Sequence, residues 1–207
     1  RDRGGKLTVY KSDGSSIIHQ QSPLSVPRYV AIGDFDNDGL NDLAFSEDIG
    51  HRVTVYKSDG ATIIKQWTSA DGVRNPTGVA IGDYNNDGLN ELAFSNGTQD
   101  TGKSQVLVYD SAFTLIKQWT GLRNPSGVAI GDFNNDGLND LAFAEQDGAR
   151  VAVYKSDGTT IIKQWSGLYM PSGVAIGDYD NDGFNDLAFA EYSVNRVTVY
   201  KSDGTTI

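Results

Sequence analysis

GDFNNDGLND occupies residues 131–140, and three near-copies of this string occur elsewhere in the chain. The copies are GDFDNDGLND at 33–42, GDYNNDGLNE at 82–91 and GDYDNDGFND at 177–186. Their leading aspartates are Asp34, Asp83, Asp132 and Asp178. Consecutive copies are separated by 49, 49 and 46 residues, and a period of about 20–50 residues is typical of solenoids, propellers and other repeat arrays. The string therefore marks a repeat that organises the whole chain.

The repeat unit contains four short apolar runs, which in residues 127–172 read VAIGDF, DLAFAE, RVAVYKS and TTIIKQW. Their alternation and β-branched content predict strands, and no helical periodicity is present. The sequence KSDG at 57–60, 155–158 and 201–204 predicts a tight turn with glycine at a position that tolerates positive φ. Four short strands per unit of about 40–50 residues are typical of a β-propeller blade. The sequence thus predicts an all-β fold built from propeller-type blades of four antiparallel strands.

The repeat boundaries predict four units and a leading half-unit. The half-blade is residues 1–28, and the blades are 29–77, 78–126, 127–172 and 173–207, the last with an incomplete fourth strand. Both chain ends carry the same third-strand sequence, so we expect that the chain does not close a ring by itself and that it belongs to a larger ring or array. Exposed strand edges are templates for pairing with another chain. A head-to-tail contact of that kind generates either a ring or a filament.

The composition excludes several classes of protein. The chain has 207 residues, 38% of them apolar, and 24 glycines, which is typical of a turn-rich globular protein. The absence of cysteine excludes disulfides and zinc–thiolate sites. No apolar run approaches the roughly 18 residues of a membrane helix, so we expect no membrane insertion. The formal charge of −10 repels phosphate backbones and argues against nucleic-acid binding.

The acidic strings have the donor pattern of a calcium loop when numbered from the first aspartate. Oxygen-bearing side chains stand at positions 1, 3 and 5, glycine at 6 and a carboxylate at 9. Ca²⁺ takes about 6–8 oxygen ligands, and the residue at position 7 would supply a backbone carbonyl. The predicted ligands are Asp34, Asp36, Asp38, Leu40 and Asp42; Asp83, Asn85, Asp87, Leu89 and Glu91; Asp132, Asn134, Asp136, Leu138 and Asp140; and Asp178, Asp180, Asp182, Phe184 and Asp186. We therefore predict about four Ca²⁺ ions, one for each loop.

Charge supports this interpretation, because 14 of the 27 acidic residues lie in the four loops. Carboxylates this close repel one another, and a divalent cation reverses the sign of that interaction. The alternative is an Asx-rich hairpin turn that is acidic without binding a metal. Four copies in register favour the metal. An EF-hand is excluded, because position 12 is a phenylalanine within an apolar strand rather than a closing glutamate.

The nine-residue loop D-x-[DN]-x-D-G-x-x-[DE] between two strands resembles the calcium loop of the FG-GAP/VCBS repeat family. Repeats of this family occur in integrin α-subunit propellers, in some fungal lectins and in many secreted bacterial proteins. The resemblance covers essentially the whole chain. It implies a β-propeller, one calcium ion per loop and an extracellular or cell-surface location.

Other residue types give weaker indications of function. His19 is interpreted as a surface strand residue, because later units have lysine there, and Glu47, Glu145 and Glu191 share one repeated position that favours a structural role. Trp67, Trp119 and Trp165 either stack on sugars or, as we favour, fill the gap between adjacent blades. Asn96-Gly97-Thr98 is the one N-glycosylation acceptor pattern. No catalytic motif is present, so we expect no enzymatic activity.

The two faces of the repeat differ in variability. Up-and-down strands place the acidic loops and the KSDG turns on one nearly constant face, and they place the variable loops on the opposite face. Loops on a rigid scaffold are the usual carriers of recognition, so we expect any protein or glycan ligand on the variable face. The sequence therefore predicts a calcium-stabilised extracellular module for adhesion or self-assembly, including as a filament. The alternative is a carbohydrate-binding lectin-like propeller, or the accessory propeller of a polysaccharide-active enzyme.

Overall fold

Each repeat folds into one antiparallel sheet in the computed structural model, which describes residues 5–97 and 103–207. A two-stranded sheet pairs β1 (Gly5–Tyr10) with β2 (Ile17–Leu24). Blade 1 contains β3 (Pro27–Gly33), β4 (Asp42–Glu47), β5 (Arg52–Tyr56) and β6 (Ile63–Trp67). Blade 2 contains β7 (Pro76–Gly82), β8 (Glu91–Asn96), β9 (Gln105–Tyr109) and β10 (Leu115–Thr120). Blade 3 contains β11 (Pro125–Gly131), β12 (Asp140–Glu145), β13 (Arg150–Tyr154) and β14 (Ile161–Ser166). Blade 4 contains β15 (Pro171–Gly177), β16 (Asp186–Glu191) and β17 (Arg196–Lys201).

The strands of every blade are hydrogen-bonded in chain order, each antiparallel to the next. The four blades are arranged as a β-propeller, which confirms the predicted all-β fold. Two 3₁₀ turns, Ser69–Asp71 and Tyr192–Val194, are the helical elements of the described residues. No helix in this part of the chain is both long and apolar enough to cross a membrane.

The first strands of successive blades lie side by side, since β7 packs against β3, β11 against β7 and β15 against β11. They therefore line the axis of the propeller. A glycine in the first strand of each of blades 1 to 3 receives an isoleucine from the next blade: a Cβ built on Gly33 would lie 2.7 Å from Ile81 Cγ2, and one on Gly131 would lie 3.0 Å from Ile176 Cγ2. Close approach of the inner strands thus depends on glycine at this position.

The outer part of each interface between blades is aromatic. Trp67 of blade 1 contacts Phe94 and Tyr109 of blade 2, with ring centroids 5.9 and 5.0 Å away. Trp119 and Trp165 make the equivalent contacts with the following blades. The three tryptophans fill the gaps between adjacent blades, as the favoured interpretation predicted.

The chain direction places the acidic loops and the third-to-fourth-strand turns at the same end of the blades. The acidic loops follow β3, β7, β11 and β15, and the KSDG turns follow β5, β13 and β17. In the KSDG turn of blade 1, Gly60 N donates to Lys57 O at 2.8 Å, and Gly60 has a φ of 68°. The predicted tight turns and their shared face are therefore confirmed.

Candidate metal centre

The acidic loops all adopt one backbone conformation. The asparagine at position 4 and the glycine at position 6 lie in the left-handed region, with φ values of 59° for Asn37 and 89° for Gly39. The carboxylate at position 1 closes the turn: Asp34 Oδ1 accepts from Asp38 N at 3.0 Å, and Asp34 Oδ2 accepts from Gly39 N at 2.9 Å. The same pair of bonds occurs in the other three loops. The chain thus forms the turn with its own carboxylate.

The closing acid at position 9 begins the second strand and is buried in every blade, as Asp42, Glu91, Asp140 and Asp186. In blade 2, Glu91 Oε2 accepts from Tyr84 N at 2.8 Å and from Asn85 N at 3.1 Å. Burial raises the pKa of Glu91 to about 7 and that of Asp140 to about 6, despite the backbone donors. Burial also raises the pKa of Asp42. Keeping these carboxylates ionised therefore costs free energy when no cation is present.

The acids of blades 1 and 4 converge. Asp34, Asp36 and Asp42 each place one oxygen within 4.8 Å of the others, and Asp178, Asp180 and Asp186 do the same. Asp36 Oδ1 and Asp42 Oδ1 are buried and have no hydrogen-bond partner. Buried oxygens normally have a partner, so these two atoms fit an ion that supplies one.

In blades 2 and 3 an amide takes the place of the position-3 carboxylate. Asn85 Nδ2 donates to Asp87 Oδ2 at 3.0 Å, and Asn134 Nδ2 donates to Asp136 Oδ2 at 3.1 Å. The amide oxygens accept from the backbone N–H of position 5. Carboxylate and amide oxygens are both hard donors of the type that Ca²⁺ uses, and the converging carboxylate groups are those of blades 1 and 4.

The remaining predicted ligands lie at the exposed rim of the loops. The position-5 carboxylates, Asp38, Asp87, Asp136 and Asp182, accept the backbone N–H of position 7 at 2.9 to 3.1 Å. The position-7 side chains are exposed: Leu40, Leu89, Leu138 and Phe184. These hydrocarbon side chains carry no donor atom, so only their backbone carbonyls can serve a metal.

A lysine beside the loop was missed by the sequence analysis. Lys57 Nζ lies 2.6 Å from Asp36 Oδ2 and 3.0 Å from Asp38 Oδ2, and hydrogen bonds to these carboxylates raise the pKa of Lys57. Lys155 and Lys201 occupy the same place in blades 3 and 4. Each of these lysines is the first residue of a KSDG turn. The predicted location of that turn on the same face as the acidic loop was the signal that could have revealed the contact. Blade 2 has Asp110 at this position and no lysine there.

Hydrogen bonds from one blade to the next were also missed. Asn90 of blade 2 donates its backbone N–H to Asn37 Oδ1 at 2.9 Å and its Nδ2 to Asp34 O at 2.7 Å, both in blade 1. Asn139 bonds in the same way to the loop of blade 2, and Asn185 to that of blade 3. We call this set the asparagine ladder. It joins adjacent acidic loops through residues that the ligand pattern leaves unassigned.

The repeated glutamates have the structural role that the sequence favoured. Glu145 is buried, pairs with Arg150, and accepts from Arg123 N at 2.9 Å, which fixes the link that enters blade 3. Asn96 takes this place in blade 2, where its Oδ1 accepts from Arg74 N at 2.5 Å. Because Asn96 is fully buried, it is a poor glycan acceptor, and Thr98 of the same pattern lies outside the described residues.

The interpretation of His19 needs correction. It lies in β2, but its ring is half-buried against Tyr56 at a centroid distance of 5.8 Å, and its Nε2 is buried without a partner. The neighbouring hairpin of blade 1 covers the His19 ring, since a Cβ built on Gly60 would lie 2.4 Å from His19 Nδ1. Lys117 and Lys163 approach Gly158 and Gly204 in the same way. The position is therefore a contact between blades.

Comparison with known proteins agrees with this geometry. A chain of the nidogen–laminin complex is similar, with a TM-score of 0.66 and 17% identity over 93% of this chain and 65% of that one. Virginiamycin B lyase from Staphylococcus aureus has a TM-score of 0.64 and 19% identity over 99% and 62%. The V. cholerae biofilm matrix protein Bap1 has a TM-score of 0.54 and 22% identity over 94% and 29%.

These likenesses establish the fold alone, and the chain spans less than two thirds of each of these proteins. No curated protein matches the chain. The profile of the FG-GAP-like repeat matches residues 34–94 and 132–189, which together exceed half of the chain and contain all four acidic loops. The chain belongs to the FG-GAP-like repeat family.

Proposed function

We propose that this chain is a calcium-stabilised, non-enzymatic extracellular repeat module for adhesion or self-assembly, and that each acidic loop binds one Ca²⁺. The observation that carries the proposal is the pair of buried, unpartnered oxygens of Asp36 and Asp42, at a place where three carboxylates converge. The residues that would hold the ion are those at positions 1, 3, 5 and 9 of each loop and the carbonyl of position 7. When bound, Ca²⁺ supplies positive charge that cancels the repulsion among these carboxylates.

The lysines compete with the ion for the loop carboxylates. In blade 1, Lys57 lies against Asp36 and Asp38, so calcium binding has to displace its ammonium group. Blade 2 has no such lysine, and burial raises the pKa of its Glu91 to about 7. The loop of blade 2 is therefore expected to depend most strongly on a metal.

An extracellular setting suits sites of this kind. FG-GAP-like repeats are typical of extracellular proteins. Extracellular modules bind Ca²⁺ with dissociation constants of about 10⁻⁴–10⁻³ M, which extracellular calcium can fill. Because Ca²⁺ has to displace a lysine from these loops, we expect its affinity to lie in that range.

Self-assembly is supported by two blade faces that are uncovered near the axis, whereas β1 and β2 cover the outer part of the blade 1 face. Tyr179 of blade 4 is 66% exposed, whereas its counterpart Phe133 in blade 3 is fully covered by the following blade. On blade 1, Val30 is 51% exposed, whereas its counterpart Val79 is 5% exposed. The two faces are the two halves of the interface that joins consecutive blades, so they can meet head-to-tail between copies.

In such a contact, β1 of one copy and β17 of the other would both occupy the third-strand position of the same blade, next to β16. Their sequences are LTVYKSDG at 7–14 and VTVYKSDG at 197–204, so either strand can pair there. We infer that assembly involves exchange between these two strands, which form nearly the same ladder.

The calcium proposal is tested by thermal unfolding of the chain in excess chelator, in Ca²⁺ and in Mg²⁺. A ligand that binds only the folded state raises the melting temperature by mass action, so we expect Ca²⁺ to raise it and chelator to lower it. Asp136→Ala removes one ligand and should reduce this rise, whereas the matched control Asp147→Ala removes an exposed acid outside the loops. A melting temperature indifferent to both Ca²⁺ and chelator contradicts the proposal.

A further inference from the structure

A cavity of about 740 Å³ lies at the ends of the blades opposite to the acidic loops. Its wall comes from the starts of the first strands, including Tyr29, Thr77, Ser126 and Ser172, and from the loops that follow the second strands. All four blades contribute, so the cavity lies on the propeller axis. Its size is within the range of about 300–1,000 Å³ that is usual for small-molecule sites.

The repeats are nearly identical around the acidic loops but differ at the positions that line this cavity. The residue after the strand-opening proline is Arg28, Thr77, Ser126 or Ser172, and the residue after the second strand is Asp48, Gly97, Gln146 or Tyr192. A wall that only supports the fold needs no such differences between equivalent positions. A ligand that lacks the symmetry of the repeat needs a different contact from each blade, and the differing residues of this wall can provide such contacts.

Tyr29 is the largest departure from the repeat. The equivalent residues are Gly78, Gly127 and Gly173, and a Cβ on Gly127 would lie 2.7 Å from Gly173 Cα. Blade 1 carries a tyrosine at this position instead. Its hydroxyl reaches across the axis to within 3.7 Å of a Cβ built on Gly173. The ring is half-buried against the core of blades 1 and 2, and its remaining surface lines the cavity.

The polar groups of the wall are held in place by one another. Asp48 accepts from Arg28 Nε at 3.0 Å and from Asn75 Nδ2 at 2.8 Å. Asn124 Nδ2 donates to Gln146 Oε1 at 3.2 Å. The one cation and the one anion of the wall thus neutralise each other, and hydrogen bonds to Asp48 and Gln146 orient the amides of Asn75 and Asn124.

Several donors and acceptors of the wall remain free. Within residues 5–97 and 103–207, no hydrogen bond uses the hydroxyls of Tyr29 or Ser172, and none uses Gln146 Nε2 or Asn75 Oδ1. The wall therefore presents fixed amides, free hydroxyls and an aromatic ring, with no unpaired charge.

We propose that this axial cavity binds a neutral carbohydrate. Amide side chains offer a donor and an acceptor together, which matches adjacent sugar hydroxyls. An aromatic ring such as Tyr29 packs on the apolar face of a pyranose while its hydroxyl keeps a polar contact. An anionic ligand is disfavoured, because Arg28 is already paired and the chain carries a formal charge of −10. The site is separate from the acidic loops and requires neither bound calcium nor self-association.

The test uses the whole chain and a panel of neutral sugars: glucose, galactose, mannose, N-acetylglucosamine, cellobiose and maltose. Binding is measured by saturation-transfer difference NMR and by isothermal titration calorimetry. We expect at least one sugar to bind, and both Tyr29→Gly and Gln146→Ala to weaken that sugar about tenfold or more. Tyr29→Gly restores the residue of the other three repeats, and Gln20→Ala removes an exposed amide from β2 as the matched control.

Two results overturn the proposal. The first is that no sugar of the panel binds by either method. The second is binding that persists unchanged in the folded Tyr29→Gly and Gln146→Ala variants, because that places the sugar elsewhere on the chain. If Tyr29→Gly does not fold, Gln146→Ala alone decides. The Gln146 side chain lies in the loop after β12, where it bonds to Asn124 and belongs to no core cluster of the described residues.

Discussion

At the scale of single residues, the pKa of Glu91 shows how burial affects the charge of an acidic loop. Burial raises its pKa to about 7, against an ordinary value near 4.3. A raised carboxyl pKa stabilises the folded state below the unfolded value, and this contribution is lost as the pH rises through the folded value. Asp140, with a pKa of about 6, and Asp42 act in the same direction. These acids therefore favour folding at pH 5 over pH 8 when no metal is present.

The effect of Glu91→Gln on stability at pH 8 is predicted to change sign with calcium. In chelator, Glu91→Gln should raise the melting temperature at pH 8 and leave it nearly unchanged at pH 5, because it removes a buried charge only where that charge exists. In saturating Ca²⁺ the same variant should lower the melting temperature at pH 8, because it removes a carboxylate ligand of the ion. Circular dichroism melts at the two pH values measure this. A variant that shifts stability in the same direction with and without Ca²⁺ contradicts the prediction.

The glycine–isoleucine contact between first strands gives a prediction at the scale of the elements. Gly33→Ala places a methyl group 2.7 Å from Ile81 Cγ2, whereas Gly177→Ala, at the same position of blade 4, meets nothing within 4 Å. Overpacking costs roughly 1–3 kcal/mol, so we expect that loss for Gly33→Ala and almost none for Gly177→Ala. Urea denaturation measures both. Equal losses would show that the effect belongs to the strand and not to the interface.

The asparagine ladder gives a second prediction for the elements. Asn139→Ala removes the 2.7 Å bond from Nδ2 to Asp83 O, which joins blades 2 and 3. A net loss of about 0.5–1.5 kcal/mol is expected for such a bond. Asn41 occupies the same loop position in blade 1, and among the described residues its side chain makes no such bond, so Asn41→Ala is the matched control. Urea denaturation with and without Ca²⁺ distinguishes the two variants, and equal effects would argue against the ladder.

The strands and the acidic loops were predictable because both follow from local sequence. Alternation, turn glycines and the repeat period define each element within about ten residues. The asparagine ladder was not predictable in this way, because Asn90 and Asp34 are 56 residues apart and meet only when two blades stack. The burial of His19 and the position of Lys57 depend on the same packing. Contacts within a loop could be read from the sequence, and contacts between elements required the fold.

At the scale of the whole molecule, the two uncovered blade faces predict self-association. Ile32 of blade 1 is 60% exposed on the face where a preceding blade would pack, and Ile49 is 66% exposed on the loop at the opposite end. Ile32→Asp should therefore weaken association between copies, whereas Ile49→Asp, with the same change in charge, should not. Light scattering over a range of concentrations and negative-stain microscopy measure the assembly. A chain that stays monomeric at all concentrations contradicts the head-to-tail proposal.

The glycine–isoleucine contact also bears on how such an array changes in evolution. Gly33, Gly82 and Gly131 receive Ile81, Ile130 and Ile176 in the same way, so the three junctions between blades share one contact near the axis. Duplication or deletion of one unit by unequal recombination therefore preserves this glycine–isoleucine contact at the new junction. A change in array length also changes the axial cavity, because every blade contributes residues to its wall.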